Sequence, residues 1–188
     1  MKVTSLARNA RAPMIALVTL SLLNLLNYVD RYVVSSLVPF LEKPIDQGGL
    51  ALTHVQSGLL FSAFLVVYMI AAPVFGLIAD RFPRLHVLAA AVAFWSVLTL
   101  LGGFAWGFWS LLIMRAFTGL FQAAYASVAP AVLADEFPAN KQSRAMAFFN
   151  AAIPVGAAIG FTLGGVVGSM YGWREAFFVA GGPGLFLA

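Results

Sequence analysis

Two apolar segments of this chain contain ionisable residues, which are the first candidates for chemistry. Asp30 and Arg31 interrupt one segment, and Arg115 interrupts another. A charge inside a membrane-spanning segment is costly and is by default a functional-site hypothesis. A carboxylate in such a place can exchange a proton, and a guanidinium group can bind an anion. Three polar residues at helical spacing accompany the first pair: Asn24, Asn27 and Ser35.

The second segment has a similar polar face. Gln122 follows Arg115 by seven positions, nearly two helical turns, and Tyr125 lies near both on the helix surface. Counted from the same predicted membrane surface at about 1.5 Å per residue, Arg31 and Arg115 lie at comparable depths. We therefore expect Asp30 to pair with Arg115 across a central cavity, which leaves Arg31 available for an anionic ligand. The simpler alternative is an ion pair that only fixes helix packing.

The composition indicates that these charges lie within a membrane. Of the 188 residues, 62% are hydrophobic and 10% are charged, and the mean hydropathy is +0.93. Soluble domains have about 45–50% apolar and about 25% charged residues, so a water-soluble fold is excluded. The absence of cysteine excludes disulfide and thiol chemistry, and the two isolated histidines suggest no metal site. The net charge of +4 comes from scattered residues, which argues against nucleic-acid binding.

Six apolar segments predict an all-α integral membrane protein with six transmembrane helices. A hydrocarbon core of about 30 Å needs roughly 20 helical residues. The segments cover residues 13–41, 55–79, 86–106, 109–134, 145–170 and 173–188. The first is too long for a cleaved signal peptide. The last is truncated at residue 188, so we expect a fragment or one half of a longer protein.

Basic residues in the short loops predict the orientation of the chain. An N-terminus in the cytoplasm places most of them on the cytoplasmic side: Lys2, Arg8, Arg11, Arg81, Arg84, Lys141 and Arg144. Only Lys43 and Arg174 then lie outside. An aromatic belt is expected at the outer interface from Trp106, Trp109, Tyr171 and Trp173. Short loops and the lack of an Asn-x-Ser/Thr sequence favour a bacterial inner membrane.

The fifth segment has a small residue at every fourth position, beginning at Ala152 and continuing as Gly156, Gly160, Gly164 and Gly168. Such a ladder lets a neighbouring helix approach closely. No strand precedes it and its period is helical, so we expect helix packing and not phosphate binding.

Several motifs resemble those of a known transporter superfamily. Gly76-x-x-x-Asp80-Arg81-x-Pro83-Arg84 resembles the signature between the second and third helices of the major facilitator superfamily, and Arg115-x-x-x-Gly119 resembles its fourth-helix motif. The run Asn27-Tyr28-Val29-Asp30-Arg31-Tyr32 is similar to the first helix of spinster-like transporters. Further similar runs cover residues 72–76, 123–130, 152–156 and 172–174.

The resemblance implies two six-helix bundles, each built from 3+3 inverted repeats, that work by alternating access. Residues 1–188 would form the N-terminal bundle, with its first and fourth helices lining the cavity. Asp30 is the expected site of proton coupling or conformational switching. The expected substrate cavity contains Asn27, Arg31, Arg115, Gln122 and Tyr125. The expected cytoplasmic gate contains Gly76, Asp80, Arg81, Arg84, Asp135 and Arg144.

Spinster-like members are linked to movement of lysophospholipids and sphingolipid phosphates, with proton coupling proposed. The resemblance therefore implies a secondary transporter for an amphipathic anion. One position departs from the family pattern: where an acid is usual in Gly-x-Gly-Glu-Ala, this chain reads Gly119-Leu-Phe121-Gln122-Ala123. Gln122 cannot titrate. Proton coupling then rests on Asp30, is absent, or has been removed by a glutamine engineered to imitate a protonated glutamate.

Two other functions are considered. One is a proton-linked transporter of small organic anions or drugs, and the other is a membrane structural protein whose helices self-associate. No nucleophile with a base indicates an enzyme, and no cofactor is expected. The expected partners are membrane lipid, a small-molecule or lysolipid substrate, a proton, and either a missing C-terminal half or a second copy; no nucleic acid is expected.

Overall fold

The computed structural model describes residues 11–187, which form six α-helices in antiparallel succession. They are α1 (Arg11–Leu41), α2 (His54–Ala79), α3 (Arg84–Gly102), α4 (Phe108–Glu136), α5 (Ala139–Met170) and α6 (Trp173–Leu187). A short 3-10 turn at Ile45–Gln47 joins α1 to α2, and no strand occurs in this part of the chain. Helices α1 to α5 are long and apolar enough to cross a membrane, whereas α6 has 15 residues.

Two helix ends differ from the predicted segments by more than two residues. The third helix ends at Gly102 and not at residue 106, because the Gly102–Gly103 pair turns the chain against aromatic rings of α6. The fifth helix begins at Ala139, six residues before the predicted start at 145. The expected loop 135–144 is only Phe137 and Pro138. Hydrophobicity marks the segment embedded in lipid, while a helix can continue into the polar residues beyond it.

The glycine ladder of α5 packs directly on α1, as the period predicts. A Cβ atom on Gly156 would lie 2.8 Å from the Leu25 carbonyl oxygen, and one on Gly160 would lie 2.6 Å from the Val29 carbonyl oxygen. Contacts this short leave no room for a side chain. The small residues therefore set the distance between the two helices.

Two hydrophobic clusters fill the bundle and leave a polar layer between them. One cluster, around the first half of α1, includes Leu20, Trp95 and Phe149, and the other, around the second half of α1, includes Leu37 and Phe177. Along α1, α3 and α4 the residues between these clusters include the buried polar side chains. The polar layer is therefore held from above and below by close-packed apolar residues.

Three of the four residues expected in an aromatic belt are exposed. Trp106 lies in the loop between α3 and α4, Trp109 lies at the start of α4, and Tyr171 directly follows α5. Trp173 is instead buried, and its indole nitrogen donates a hydrogen bond to the Gly48 carbonyl oxygen at 2.8 Å. It anchors the α1–α2 loop to α6, so its placement at the lipid interface was wrong. Lys2 and Arg8, which contributed to the predicted orientation, lie outside the described residues.

Candidate functional site

Asp30 is the centre of the buried polar layer. Its carboxylate accepts a hydrogen bond from the Thr99 hydroxyl at 2.7 Å and another from the Gln122 amide at 2.6 Å. The Arg115 guanidinium lies 3.4 Å from the same carboxylate and forms an ion pair with it. These partners come from α3 and α4, so Asp30 joins three helices. The ion pair inferred from depth alone is present in the structure.

Burial makes this arrangement energetically demanding. The side chains of Asp30 and Arg115 are 2% and 4% exposed. Removing a carboxylate and a guanidinium from water is costly, and the cost is offset only when the charges are paired and hydrogen-bonded. Asp30 has both kinds of partner, whereas the Nε of Arg115 has no hydrogen-bond partner among the described residues. The Phe64 ring, 4.8 Å from the Arg115 guanidinium carbon, partly compensates by a cation–π contact.

Arg31 lies beside this pair but has a different environment. Its Nε donates a hydrogen bond to the Gln122 side-chain oxygen at 2.9 Å. Its guanidinium carbon lies 4.6 Å from the centre of the Tyr68 ring and 5.1 Å from those of Tyr28 and Phe64. No carboxylate of the described residues lies within ion-pairing distance of Arg31. Arg31 is thus hydrogen-bonded and stacked, but its charge is not neutralised by a carboxylate in residues 11–187.

Gln122 connects the two charged groups. Its amide nitrogen donates to Asp30, and its amide oxygen accepts from Arg31. The Gln122 side chain is fully buried, so it provides hydrogen bonds to Asp30 and Arg31 at a position that water does not reach. A glutamine has the donor and the acceptor that this position requires. The bridge means that a movement of Arg31 toward a ligand breaks a bond to the residue that holds Asp30.

A groove of about 240 Å³ opens next to these residues, between α1, α2 and α4. Both arginines line it, and the rest of its wall is largely aromatic or aliphatic. The other lining residues are Tyr28, Tyr32, Ser35, Phe61, Phe64 and Leu65. Two guanidinium groups and one carboxylate leave a surplus of one positive charge at this apolar groove.

The structure places two other expected cavity residues away from the groove. Tyr125 is 1% exposed, packs edge-on against Trp95, and donates a hydrogen bond to the Leu20 carbonyl oxygen. It therefore joins α4 to α1 within the hydrophobic cluster that contains Leu20 and Trp95. Asn27 is 2% exposed, and its amide nitrogen has no partner among the described residues. Gln122 does not line the groove either, but it accepts a hydrogen bond from Arg31, which does.

The expected cytoplasmic gate residues are only partly brought together. Arg84 forms an ion pair with Asp135 and a second, at 3.8 Å, with Asp80. Gly76 and Arg81 are nearby on α2 and the following turn, and a Cβ atom on Gly76 would meet no atom within 4 Å. Arg144 lies elsewhere on α5, where it lines a cavity together with Lys141 and with Met14 of α1. The compact charge cluster therefore links α2, α3 and α4, without Arg144.

Sequence reasoning missed Thr99 and the aromatic residues Phe64 and Tyr68. Thr99 is a hydroxyl residue within the apolar run of α3, at about the depth of Asp30, so its position was a usable signal. The two aromatic residues gave no such signal, because an aromatic side chain on a membrane helix most often only packs against neighbouring helices. Only the approach of α2 to α4, where a Cβ atom on Gly119 would lie 2.5 Å from the Phe64 carbonyl oxygen, puts the Phe64 ring beside both arginines.

A smaller polar cluster lies where α1 ends and α2 begins. Glu42 accepts hydrogen bonds from the Ser57 hydroxyl at 2.8 Å and from the His54 ring at 2.9 Å. The Ser57 bond, with a smaller contribution from His54, lowers the pKa of Glu42 below its usual value of 4.5. The cluster connects the α1–α2 loop to the start of α2. Residues 11–187 contain no group of three or more acidic, histidine or cysteine side chains that could hold a metal ion.

Comparisons with known proteins agree with this architecture. The chain is 37% identical over 187 residues to protein spinster homolog 1 of Homo sapiens, covering 98% of this chain and 34% of that protein. It is 35% identical over 158 residues to a sphingosine-1-phosphate transporter of Danio rerio, covering 83% of this chain and 30% of that protein. The chain thus spans about a third of the length of these relatives.

The fold is also found in a solved structure. A bacterial homologue of the human lysosomal transporter spinster, crystallised in an inward-facing and unoccupied conformation, superposes with a TM-score of 0.85 at 23% identity, covering 95% of this chain and 42% of that one. The family model described as Major Facilitator Superfamily matches residues 20–188. Together with the six apolar helices, this match shows that the chain is an integral membrane protein that belongs to the Major Facilitator Superfamily and is similar to spinster proteins.

Proposed function

We propose that this chain is the N-terminal six-helix half of a secondary transporter that moves an amphipathic anion by alternating access. A lysophospholipid or a sphingolipid phosphate is the proposed substrate. The observation that carries the proposal is the uncompensated guanidinium of Arg31 at the groove between α1, α2 and α4. A single surplus positive charge in an apolar wall favours one negative headgroup, because an unpaired charge of either sign is costly there.

The wall of the groove favours an amphipathic ligand over a hydrophilic one. The rings of Tyr28, Phe61 and Phe64 and the side chain of Leu65 supply apolar surface next to the arginines. A small hydrophilic acid would use the charge and leave this surface without a partner. The name of the Danio rerio relative, a sphingosine-1-phosphate transporter, supports the same substrate class.

Asp30 is the proposed proton-coupling residue. While ionised, it neutralises Arg115, and protonation would remove that negative charge from the layer. Two guanidinium groups would then act on the groove, and the attraction for an anion would rise. Binding of the anion would favour protonation to the same extent, since a coupling free energy between two sites is reciprocal. The arrangement supports movement of a proton together with the anion.

The Arg84 cluster is the proposed cytoplasmic gate. Its ion pairs with Asp80 and Asp135 hold the ends of three helices together, and both acidic side chains are largely exposed. Exposed ion pairs contribute only about 0–1 kcal/mol, so a gate made of them can open without a large penalty. We assign this end of the bundle to the cytoplasm, and we propose that the protein resides in a bacterial inner membrane.

Transport of labelled lysolipid by the complete protein in proteoliposomes tests the proposal. We expect Arg31→Ala to lower the affinity for an anionic lysophospholipid about tenfold to a hundredfold, as for loss of a charge-assisted hydrogen bond. An uncharged monoacylglycerol should be affected little. Lys43→Ala removes an equivalent charge from the exposed outer loop and should change neither affinity. Equal losses for both ligands in Arg31→Ala would contradict an anion-binding role.

Two further measurements distinguish the details. Asp30→Asn should abolish proton uptake that depends on substrate, and unchanged proton uptake would remove Asp30 from the coupling mechanism. Competition between lysolipid and a hydrophilic organic acid should be weak. If the hydrophilic acid competes strongly for transport and lysolipid does not inhibit transport of the acid, the protein would instead be a transporter of small organic anions.

A further inference from the structure

The cytoplasmic halves of α1 and α5 enclose a second groove that the proposed transport site does not use. Gly156 is the last glycine of the ladder toward the start of α5, where the buried face of the helix continues through Ala152 and Phe149, with Phe148 exposed beside them. Where the glycines end, a cavity of about 280 Å³ lies between the two helices. None of the residues that line it also lines the groove near Arg31.

This cavity is almost entirely apolar. Val18 and Leu22 of α1 and Phe148 and Val155 of α5 line it, and each is between 43% and 56% exposed. Side chains of this kind suit the hydrocarbon of an acyl chain. Residue 148 to residue 155 corresponds to about 10 Å of helix, so the cavity follows the helix axes and accepts an elongated ligand.

A second cavity continues the first toward the cytoplasmic end of α5. It has a volume of about 410 Å³ and shares the Phe148 ring with the apolar cavity. Lys141 and Arg144 line its far side. Residues 141, 144, 148 and 155 lie on one face of a helix. The combined groove is therefore cationic at the membrane surface and apolar toward the membrane interior.

Among residues 11–187, no carboxylate lies within ion-pairing distance of Lys141 or Arg144. Arg144 was expected in the gate cluster, but within residues 11–187 it is Arg84 that pairs with both gate aspartates. Two adjacent basic side chains at the end of an apolar groove are complementary to a lipid with a negative headgroup.

Ser21 contributes a hydroxyl group to the wall of the apolar cavity. It lines the apolar cavity, is 8% exposed, and its hydroxyl has no hydrogen-bond partner among the described residues. A buried hydroxyl without a partner is unfavourable. A ligand that brings an acceptor, such as the ester carbonyl between a headgroup and an acyl chain, would satisfy it.

We propose that the α1–α5 groove binds an anionic phospholipid of the surrounding membrane. The phosphate group lies between Lys141 and Arg144, the ester region lies near Ser21, and one acyl chain fills the apolar cavity. This lipid site is separate from the proposed transport site. It explains why Arg144 is placed on α5 away from the gate, and why the small-residue packing stops at Ala152.

Native mass spectrometry of the complete protein, titrated with phosphatidylglycerol or phosphatidylcholine, tests the proposal. We expect the wild type to prefer phosphatidylglycerol. The double variant Lys141→Ala/Arg144→Ala should lower affinity for this lipid about thirtyfold, as for two surface cations near an anionic lipid, and should leave phosphatidylcholine binding unchanged. The matched double variant Lys43→Ala/Arg81→Ala removes the same charge elsewhere and should bind both lipids like the wild type.

A further pair of variants locates the lipid. Ala151 is exposed and lines the apolar cavity, so Ala151→Phe should fill it and weaken binding of both lipids. Arg31→Ala should leave this binding unchanged. The proposal is overturned if Lys141→Ala/Arg144→Ala binds phosphatidylglycerol like its matched control. It is equally overturned if Arg31→Ala alone removes the lipid, or if Ala151→Phe has no effect because another protein segment covers the groove.

Discussion

The Asp30–Arg115 pair allows a quantitative test of how the polar layer is held together. Arg115→Gln removes the counter-charge and leaves the carboxylate with its hydrogen bonds from Thr99 and Gln122. At the observed separation of 3.4 Å, two unit charges attract by about 5 kcal/mol at an effective dielectric constant of about 20. Breaking one partner of a buried pair typically costs about 3–5 kcal/mol. We therefore expect the free energy of unfolding to fall by about 3–5 kcal/mol.

A double-mutant cycle separates the pair from its surroundings. Asp30→Asn alone leaves the Arg115 guanidinium unpaired and should also destabilise the protein. The double variant Asp30→Asn/Arg115→Gln removes both charges, so it should be more stable than the sum of the single losses predicts by about 2 kcal/mol or more. Arg81→Gln makes the same chemical change at an exposed position and should stay within about 0.5 kcal/mol of the wild type.

Equilibrium unfolding of the complete protein in mixed micelles, followed by tryptophan fluorescence, measures these differences. A loss of about 4 kcal/mol corresponds to a change of nearly a thousandfold in the ratio of folded to unfolded protein. Additive losses in the double variant would show that the two charges do not interact, and the description of the polar layer would then be wrong. A loss no greater than that of Arg81→Gln would mean that water reaches the site.

Three further outcomes are expected. Gly160→Ala should destabilise the α1–α5 contact by about 1–3 kcal/mol because its Cβ atom would overlap the backbone of α1, whereas Gly165→Ala, with open space around it, should be neutral or stabilising in thermal unfolding. Ser57→Ala should lower the melting temperature at pH 7. That difference should shrink as the pH falls below 4.5, since the lowered pKa of Glu42 gives stability that is present above this range and lost on protonation. Tyr125→Phe should lower the free energy of unfolding by about 1 kcal/mol, because the hydrogen bond from the Tyr125 hydroxyl to the Leu20 carbonyl oxygen is lost.

The fold class could be predicted from the sequence because the bilayer imposes a simple rule. Every backbone polar group in the hydrocarbon must be hydrogen-bonded, so long apolar segments form helices. The number of helices can therefore be counted from the sequence. The packing role of the glycine ladder could be predicted for a similar reason, since its period defines one face of one helix. Helix ends were less predictable: α5 begins at Ala139 because polar residues continue a helix beyond the lipid.

The candidate site was predictable only in part. Charges within apolar segments are rare enough to identify Asp30, Arg31 and Arg115, and helical rise gave the depth at which two of them meet. The sequence could not show that Gln122 bridges Asp30 and Arg31, because that depends on the rotation of α4 relative to α1. The rotation of a helix about its axis is decided by packing against other helices, so it can hardly be predicted from the residue types of that helix.

The amino-acid sequence by itself determined that this chain lies in a membrane, that residues 11–187 form six α-helices, and which side chains carry charge within the membrane-spanning segments. Tertiary structure alone decided which aromatic rings surround Arg31, that Tyr125 is a core residue, and that Arg144 lies beside Lys141 away from Arg84. The physical reason is a difference in range. Hydrophobicity and helical period act within one segment, while the partners of a side chain depend on how several helices, distant along the chain, pack together.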